Sequence, residues 1–205
     1  MVAYSAQGTR LNRRGLESRR LILDVAIRCL AEGGPEAANV NLIARKAGVT
    51  WGTVQHHFGD TDGVWAALLE HAHQGSRETF PRRAAVSASL RPRVAAVVNA
   101  IWAAYEQPTV QAVMNLRLAL PRDHNALAEA FPATSETLKA WDEGWSARWD
   151  TLFRDLVTSS TKLRRLQSLL PAALHGLYLT GQMPTFTDVE EGRKALIDAI
   201  TCYLR

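Results

Sequence analysis

Cysteine is scarce in this chain. Cys29 and Cys202 are the two in 205 residues, far apart and in no Cys-x-x-Cys spacing, which removes a disulfide framework and a thiolate zinc site. Each lies in an apolar helical context and reads as a buried, inert thiol. Six histidines are present, but His56-His57 and His71-x-His73 do not share a helix face, and no carboxylate stands at His-Glu-x-x-His spacing. No metal is expected. A nucleophile elbow, a phosphate loop and paired catalytic carboxylates are missing too, so neither an enzyme nor a bound cofactor is expected. No apolar run approaches the roughly 18–20 residues that cross a bilayer. The first fifteen residues carry charge without an apolar stretch before a cleavage site, which leaves a cytoplasmic protein with no membrane partner as the expectation. Charge of one sign is also in short supply. The formal net charge is +4, and residues 1–78 hold nine Lys/Arg against eight Asp/Glu. The imbalance is local: Arg10, Arg13, Arg14, Arg19 and Arg20 stand against Glu17 alone in the first twenty residues. Such a cluster either tracks phosphates or is a solvated terminus.

What the chain does have is helical periodicity. Leu23, Ala26, Ile27 and Leu30 form an i, i+3, i+4, i+7 stripe that predicts a helix over 16–31, ended by Gly33-Gly34-Pro35. Asp60 reads as the cap of a helix burying Val64, Leu68, Leu69 and Ala72. The pattern breaks near Phe80-Pro81. Val94, Val97, Val98, Ile101, Trp102 and Tyr105 then mark a helix that Pro108 helps to end. Residues 110–120 and 125–130 give two more. Leu138, Trp141, Trp145, Trp149, Leu152 and Leu156 step along a long one. Leu166, Leu170, Leu174, Leu177 and Tyr178 define the next, with Pro171 kinking it or starting it afresh. Thr187 and Glu190 have capping-box spacing before a last helix seamed by Val189, Leu196, Ile197, Ile200 and Leu204. No stretch alternates with period two for long enough to be a strand. The expected class is all-α, with a head at 1–78, ordered from about residue 14, and a body at 79–205.

The stretch 40–58, VNLIARKAGVTWGTVQHHF, is the most specific. Val40, Ile43, Ala44 and Ala47 share one face of a first short helix that Asn39 can cap. Gly48 follows, where a helix end takes a left-handed residue at no steric cost. Val49 fills the corner, and Thr50 can cap the next helix. That second helix turns Trp51, Thr53, Gln55 and His56 outward and leaves Val54 and Phe58 to anchor it. Two short helices across a glycine turn, the second with a polar outer edge, make a helix-turn-helix. Gln55 can bond the N6/N7 edge of adenine, and Thr50 and Thr53 can bond phosphates or touch a thymine methyl. Gly52 lets backbone approach DNA, His56 is a phosphate or base-edge donor, and Asn41 and Arg45 lie where the first helix reaches the DNA backbone. His57 is assigned to packing.

This stretch resembles the DNA-binding signature of the TetR family of bacterial transcriptional regulators. Ile43, Ala44, Ala47, Gly48, Val49, Thr50, Gly52, Thr53, His57 and Phe58 stand where that family's pattern has them, within a resemblance covering roughly 18–71. Trp51, Gln55 and Thr61 depart from it, standing where a small or basic residue, an aromatic and a phosphate-reaching lysine are common. The resemblance implies an N-terminal three- or four-helix DNA-binding head and a C-terminal helical bundle that binds a small-molecule effector. It also implies a homodimer paired through the last two helices, holding a double-stranded DNA operator.

Within the body, Trp102, Tyr105, Trp141, Trp145, Trp149 and Phe153, with Met114, read either as plain core or as the lining of a chamber for a flat, apolar molecule. Arg117, His175 and Tyr178 are its candidate polar anchors. Ala172, Ala173, Gly176, Ala195 and Ala199 are small enough to let helices approach across a two-fold interface. Two other functions stay open at this point. One is a helical small-molecule carrier or enzyme with a vestigial head, and the other is a module whose head docks a protein.

Overall fold

The computed structural model describes residues 5–79 and 87–205, with side chains described outside 76–79 and 150. The helices are α1 (Arg13–Gly33), α2 (Val40–Lys46), α3 (Trp51–Phe58), α4 (Thr61–Thr79), α5 (Leu90–Tyr105), α6 (Pro108–Ala119), α7 (His124–Ala130), α8 (Pro132–Phe153), α9 (Ser160–Gly181) and α10 (Val189–Leu204). A single 3-10 turn, Pro35–Ala37, follows α1. The described residues contain no strand, so the chain is all-α as its periodicity implies. None of the described helices is long and apolar enough to cross a membrane. The sequence break near Phe80-Pro81 lies outside the described residues.

Local chemistry sets the ends of these helices. Asn12 caps α1 and starts it at Arg13, three residues ahead of the predicted start, its Oδ1 accepting from the Gly15 N–H at 2.9 Å. Asp60 does the same for α4, accepting from the Gly63 N–H at 2.9 Å. Pro108 opens α6 at a position where its missing N–H costs nothing. Pro171 neither ends α9 nor restarts it, and one helix runs through. The stripe on α8 stops at Phe153, so Leu156 lies in the turn that follows. Two expectations need correcting. The cap of α10 is Asp188, which accepts from the Glu191 N–H at 3.0 Å, and not Thr187 with Glu190. A carboxylate there also meets the positive end of the helix dipole, which a hydroxyl cannot do. Cys202 is exposed, because it faces away from the seam made by Ile197, Ile200 and Leu204, and only Cys29 is a buried thiol.

The chain packs as two compact units, one of Met1–Ser76 with Gln107–Trp141, the other of Arg77–Glu106 with Asp142–Arg205. In the first, Ile22, Ala26 and Leu30 of α1 meet Ile43 of α2, Val54 of α3 and Leu68 and Leu69 of α4 in one core. Trp65, which lies outside the predicted α4 stripe, is 2% exposed in the same core. Helix α6 closes this core with Ala112, Val113 and Leu116. Its Asn115 side chain donates to the Leu30 carbonyl at 2.8 Å, a bond across 85 residues of sequence. Each large apolar side chain buried here contributes roughly 1.5–3 kcal/mol.

The second unit joins α5, α9, α10 and the end of α8. Arg93 is buried on α5, and its guanidinium donates to the Ser87 carbonyl at 2.7 Å, to the Leu152 carbonyl at 2.8 Å and to the Asp155 carboxylate. A buried cation is tolerated because its donors are satisfied in this way.

Asp62 shows how one buried carboxylate ties distant parts of the first unit. Its two oxygens accept from the N–H groups of Ala133 and Thr134 at 2.8 Å each, in the first turn of α8, and Thr134 Oγ1 donates to the Asp62 carbonyl at 3.2 Å. The Asp62→Ala variant should lose roughly 3 kcal/mol of stability, because two charge-assisted bonds vanish and the buried Thr134 N–H is left without an acceptor. Urea denaturation of the purified variant against the parent measures this.

Candidate nucleic-acid interface

The α2–α3 pair is set by three local devices. Asn39 Oδ1 accepts from the Leu42 N–H at 3.0 Å and starts α2. Gly48 adopts φ 68°, a left-handed value that a side chain would strain. Thr50 Oγ1 accepts from the Thr53 N–H at 3.2 Å and lies 3.1 Å from Thr53 Oγ1, so both hydroxyls already serve the start of α3. Two glycines then divide by role. A Cβ on Gly63 would sit 1.9 Å from the Phe58 carbonyl oxygen, so only glycine lets the end of α3 meet the first turn of α4. A Cβ on Gly52 would meet nothing closer than Thr50 Oγ1 at 3.7 Å, so packing within the chain does not demand glycine there.

Helix α3 is sharply two-sided. Val54, His57 and Phe58 are buried, at 0%, 5% and 7% exposure, while Trp51, Gly52, Gln55 and His56 are exposed. Thr53 is half-buried and Thr50 exposed at the near end. Asn41 and Arg45 are exposed on α2, and Thr61 is half-buried at the start of α4. Of the N-terminal arginines, Arg13 pairs with Glu17 at 3.0 Å and Arg20 with Asp24 at 3.6 Å. With Arg10 they line an open hollow floored by Leu11 and Leu16. Arg19 stands apart. Its guanidinium lies 4.3 Å from the centre of the Phe58 ring and donates to the His57 carbonyl. Burial lowers its pKa, against an opposing pull from Glu70.

The nine candidate ligand residues fall into separate groups. Trp102, Tyr105, His175 and Tyr178 gather between α5 and α9, with ring centres 5.8 Å apart for Tyr105–His175, 5.4 Å for Tyr105–Tyr178 and 6.0 Å for Trp102–Tyr178. The Arg193 guanidinium of α10 covers the Trp102 ring at 5.4 Å. Burial pushes the Tyr105 phenol up to about 12, and it donates to the Pro171 carbonyl at 3.1 Å. Burial pushes the His175 imidazole below its ordinary value. Trp145 and Trp149 form a second group on α8, where Trp149 stacks on Phe153 at 5.2 Å and is wholly enclosed. Met114 and Arg117, half-buried on α6, and Trp141, stacked on His73 at 5.1 Å, belong to the first unit.

Residues 22–68 match the family described as bacterial regulatory proteins, tetR family. Over this stretch the head is similar to the TetR family. Over 83 residues the chain is 35% identical to the HTH-type transcriptional regulator BetI of Burkholderia mallei (strain NCTC 10229), covering 40% of this chain and 43% of that one. It is 34% identical over the same length to BetI of Burkholderia thailandensis. The match thus spans less than half of these relatives. Among solved structures, NalD, the secondary repressor of the MexAB-OprM multidrug efflux pump in Pseudomonas aeruginosa, superposes with a TM-score of 0.64 at 20% identity, covering 94% of this chain and 98% of that one. The multidrug binding protein EbrR, complexed with imidazole, gives 0.63 at 22% identity over 91% and 94%. The SmeT–triclosan complex gives 0.64 at 20% identity over 91% and 90%. At these identities the likeness is one of fold.

Against the TetR-family pattern, the departures at Trp51 and Gln55 both fall on the exposed edge of α3, where they alter what is presented rather than how the head packs. Sequence reasoning missed Arg19 as anything but a member of the basic cluster, since its partner lies 38 residues away. It also missed the need for glycine at 63, which only the approach of Phe58 reveals.

His57 gives this head a pH dependence. Burial, then His56, then Arg19 lower its pKa below the ordinary 6.5. The unfolded chain therefore takes up the proton first as pH falls. Stability from the neutral imidazole is complete above about pH 6.5 and drains as pH drops through that value towards the folded-state pKa. His175 is shifted in the same direction in the other unit. Replacing His57 by Gln should therefore shrink, without abolishing, the loss in melting midpoint between about pH 7.5 and pH 5.5, as calorimetry of the two proteins reads.

Proposed function

We propose that this chain is a ligand-responsive transcriptional repressor that binds a near-palindromic double-stranded DNA operator as a homodimer in the cytoplasm. The observation that carries the reading is the two-sidedness of α3. Val54, His57 and Phe58 are buried, while Trp51, Gly52, Gln55 and His56 present a hydrogen-bonding, flat-sided edge that no packing within the head requires. A helix of this kind enters the major groove, and a symmetric pair places two of them about 34–36 Å apart. Asn41, Arg45, Thr50, Thr53 and Thr61 flank that edge and hold the backbone. The functional division then lies at 78/79, with the head reading DNA and the remainder binding effector and partner.

The effector is a small, apolar or aromatic molecule. Trp102, Tyr105, His175 and Tyr178 supply flat surface with uncharged polar tips, and Trp149 Nε1 is a buried donor without a protein acceptor. Trp141, Trp145, Met114 and Arg117 are further candidates. The neighbours EbrR and SmeT are described with imidazole and triclosan bound, which lends weight to a flat effector. Binding in the body shifts the population of α4 orientations, with a leverage of about 1–3 kcal/mol set by the difference in affinity between conformers. The partner chain meets α9 and α10, where Ala172, Gly176, Ala195 and Ala199 are exposed beside Leu169, Leu179 and Tyr203.

Three variants test this reading. After selection of an operator from random DNA, Gly52→Ala should leave folding unchanged or up to about 1 kcal/mol more stable. The same variant should weaken operator binding about tenfold or more, because the added methyl meets the duplex. In the same gel shifts, at fixed salt, Gln55→Ala should relax the preference at one base pair. In the monomer a Cβ on Gly176 meets nothing within 4 Å. Gly176→Glu should therefore keep its helicity while light scattering shows the mass fall from dimer to monomer.

A further inference from the structure

The carbonyls in the last turn of a helix have no partner within it. In α3 they are met by groups from three directions. The Gln55 carbonyl accepts from the Gly59 N–H at 2.8 Å, the His56 carbonyl from the Ala6 N–H at 3.1 Å, and the His57 carbonyl from the Arg19 guanidinium. Ala6 belongs to a tight turn near the start of the chain. The Gly8 N–H donates to the Ser5 carbonyl at 3.0 Å, and the Ser5 N–H to the Thr9 carbonyl at 2.8 Å. The Thr9 N–H donates to Ser5 Oγ at 3.1 Å. Ser5 and Leu11 are 6% and 8% exposed, so this segment is seated on the head. Its Ala6 Cβ stands 3.5 Å from where a Cβ on Gly59 would be.

We infer that Arg19 and the turn at residues 5–9 are positioning elements that fix the recognition helix from its far end, acting on DNA through α3 rather than by touching the duplex. Helix α3 has 8 residues, just over two turns, which is too short to hold its shape or its roll without outside contacts. Val54 and Phe58 fix its inner face, but a residual roll about its axis would misdirect Trp51, Gln55 and His56 together. The Arg19 guanidinium opposes that roll in two ways. It covers the Phe58 ring at 4.3 Å and bonds the next carbonyl back along the chain. A cation also suits the negative end of a helix. Ala6 adds a second tie one residue earlier. The sequence alone groups Arg19 with the phosphate-tracking arginines, and the geometry assigns it the opposite task.

The inference rests on the DNA-binding reading, and the test separates the two. Full-length parent protein is first used to select an operator, and the absence of any sequence preference would end that reading on its own. Given an operator, Arg19→Gln removes the guanidinium. Ala6→Pro removes the N–H and sets the ring Cδ where its hydrogen pointed, which breaks the tie to the His56 carbonyl, while the turn survives because proline is favoured at the second position of a β-turn. Each variant should bind the operator about threefold to tenfold more weakly, the scale of one net hydrogen bond. Binding to random DNA, the slope of log affinity against log salt and the far-ultraviolet circular dichroism should be unchanged. A slope reduced by about 0.9 in Arg19→Gln, with equal losses on operator and random DNA, would make Arg19 a phosphate contact and overturn the inference. So would operator affinity unchanged in Ala6→Pro, or a lower melting midpoint alone in either variant. If Arg19→Gln fails to fold, Ala6→Pro decides.

Discussion

The packing of two side chains, Val54 and Phe58, against the inner surface of the head governs what this protein can present to a partner. Helix α3 is too short to persist alone, so its orientation is whatever those anchors and its capped ends impose. Successive residues lie about 100° apart around a helix. A slip of one position would carry Gln55 towards the core and Val54 towards water. The exposed edge of Trp51, Gln55 and His56 is therefore a by-product of apolar burial. Gly48 sets the angle of entry, and Gly63 permits the close approach at exit. Asp62 then ties the start of α4 to the start of α8 with two short bonds, giving the core beneath α3 a second boundary.

The second unit solves a different problem. Its interior holds polar groups, and those on α5 are kept in neutral or hydrogen-bonded forms. Arg93 has its donors spent on two carbonyls and a carboxylate, and the Tyr105 phenol keeps its proton and gives it to a carbonyl. Burial likewise disfavours a charged His175. An interior of this kind offers planar, uncharged surface with few fixed hydrogen-bonding points. Under the proposed effector-binding role, it suits a guest held by contact area and shape more than by charge.

Much of this was legible in the residues because the relevant forces act over a few positions. Asn39, Gly48, Thr50 and Asp60 each do their work within four residues, so the helix-turn-helix and the start of α4 could be read directly. The all-helical class followed from period alone. Other features depend on partners far along the chain. That Arg19 meets His57, that Asn115 meets Leu30, and that Gly63 must yield to Phe58 are facts of tertiary packing with no local signature. The aromatic stripe was visible, yet period cannot say which rings meet. Cys202 illustrates the same limit, since an apolar neighbourhood in sequence did not mean an inward direction. At α10 the cap shifted by one residue because two adjacent residues compete for the role and the carboxylate is the better acceptor.

The place of α6 has a consequence for how the chain comes off the ribosome. Ala112, Val113 and Leu116 cover a face of α1 that is complete in sequence by residue 33. Until about eighty further residues have emerged, the first helix carries an apolar side with no permanent neighbour. At elongation rates of about 5–20 residues per second, that interval lasts several seconds. Nascent chains halted before α6 would consequently be the aggregation-prone ones and the natural clients of a chaperone, whereas chains released after it would have buried the face for good.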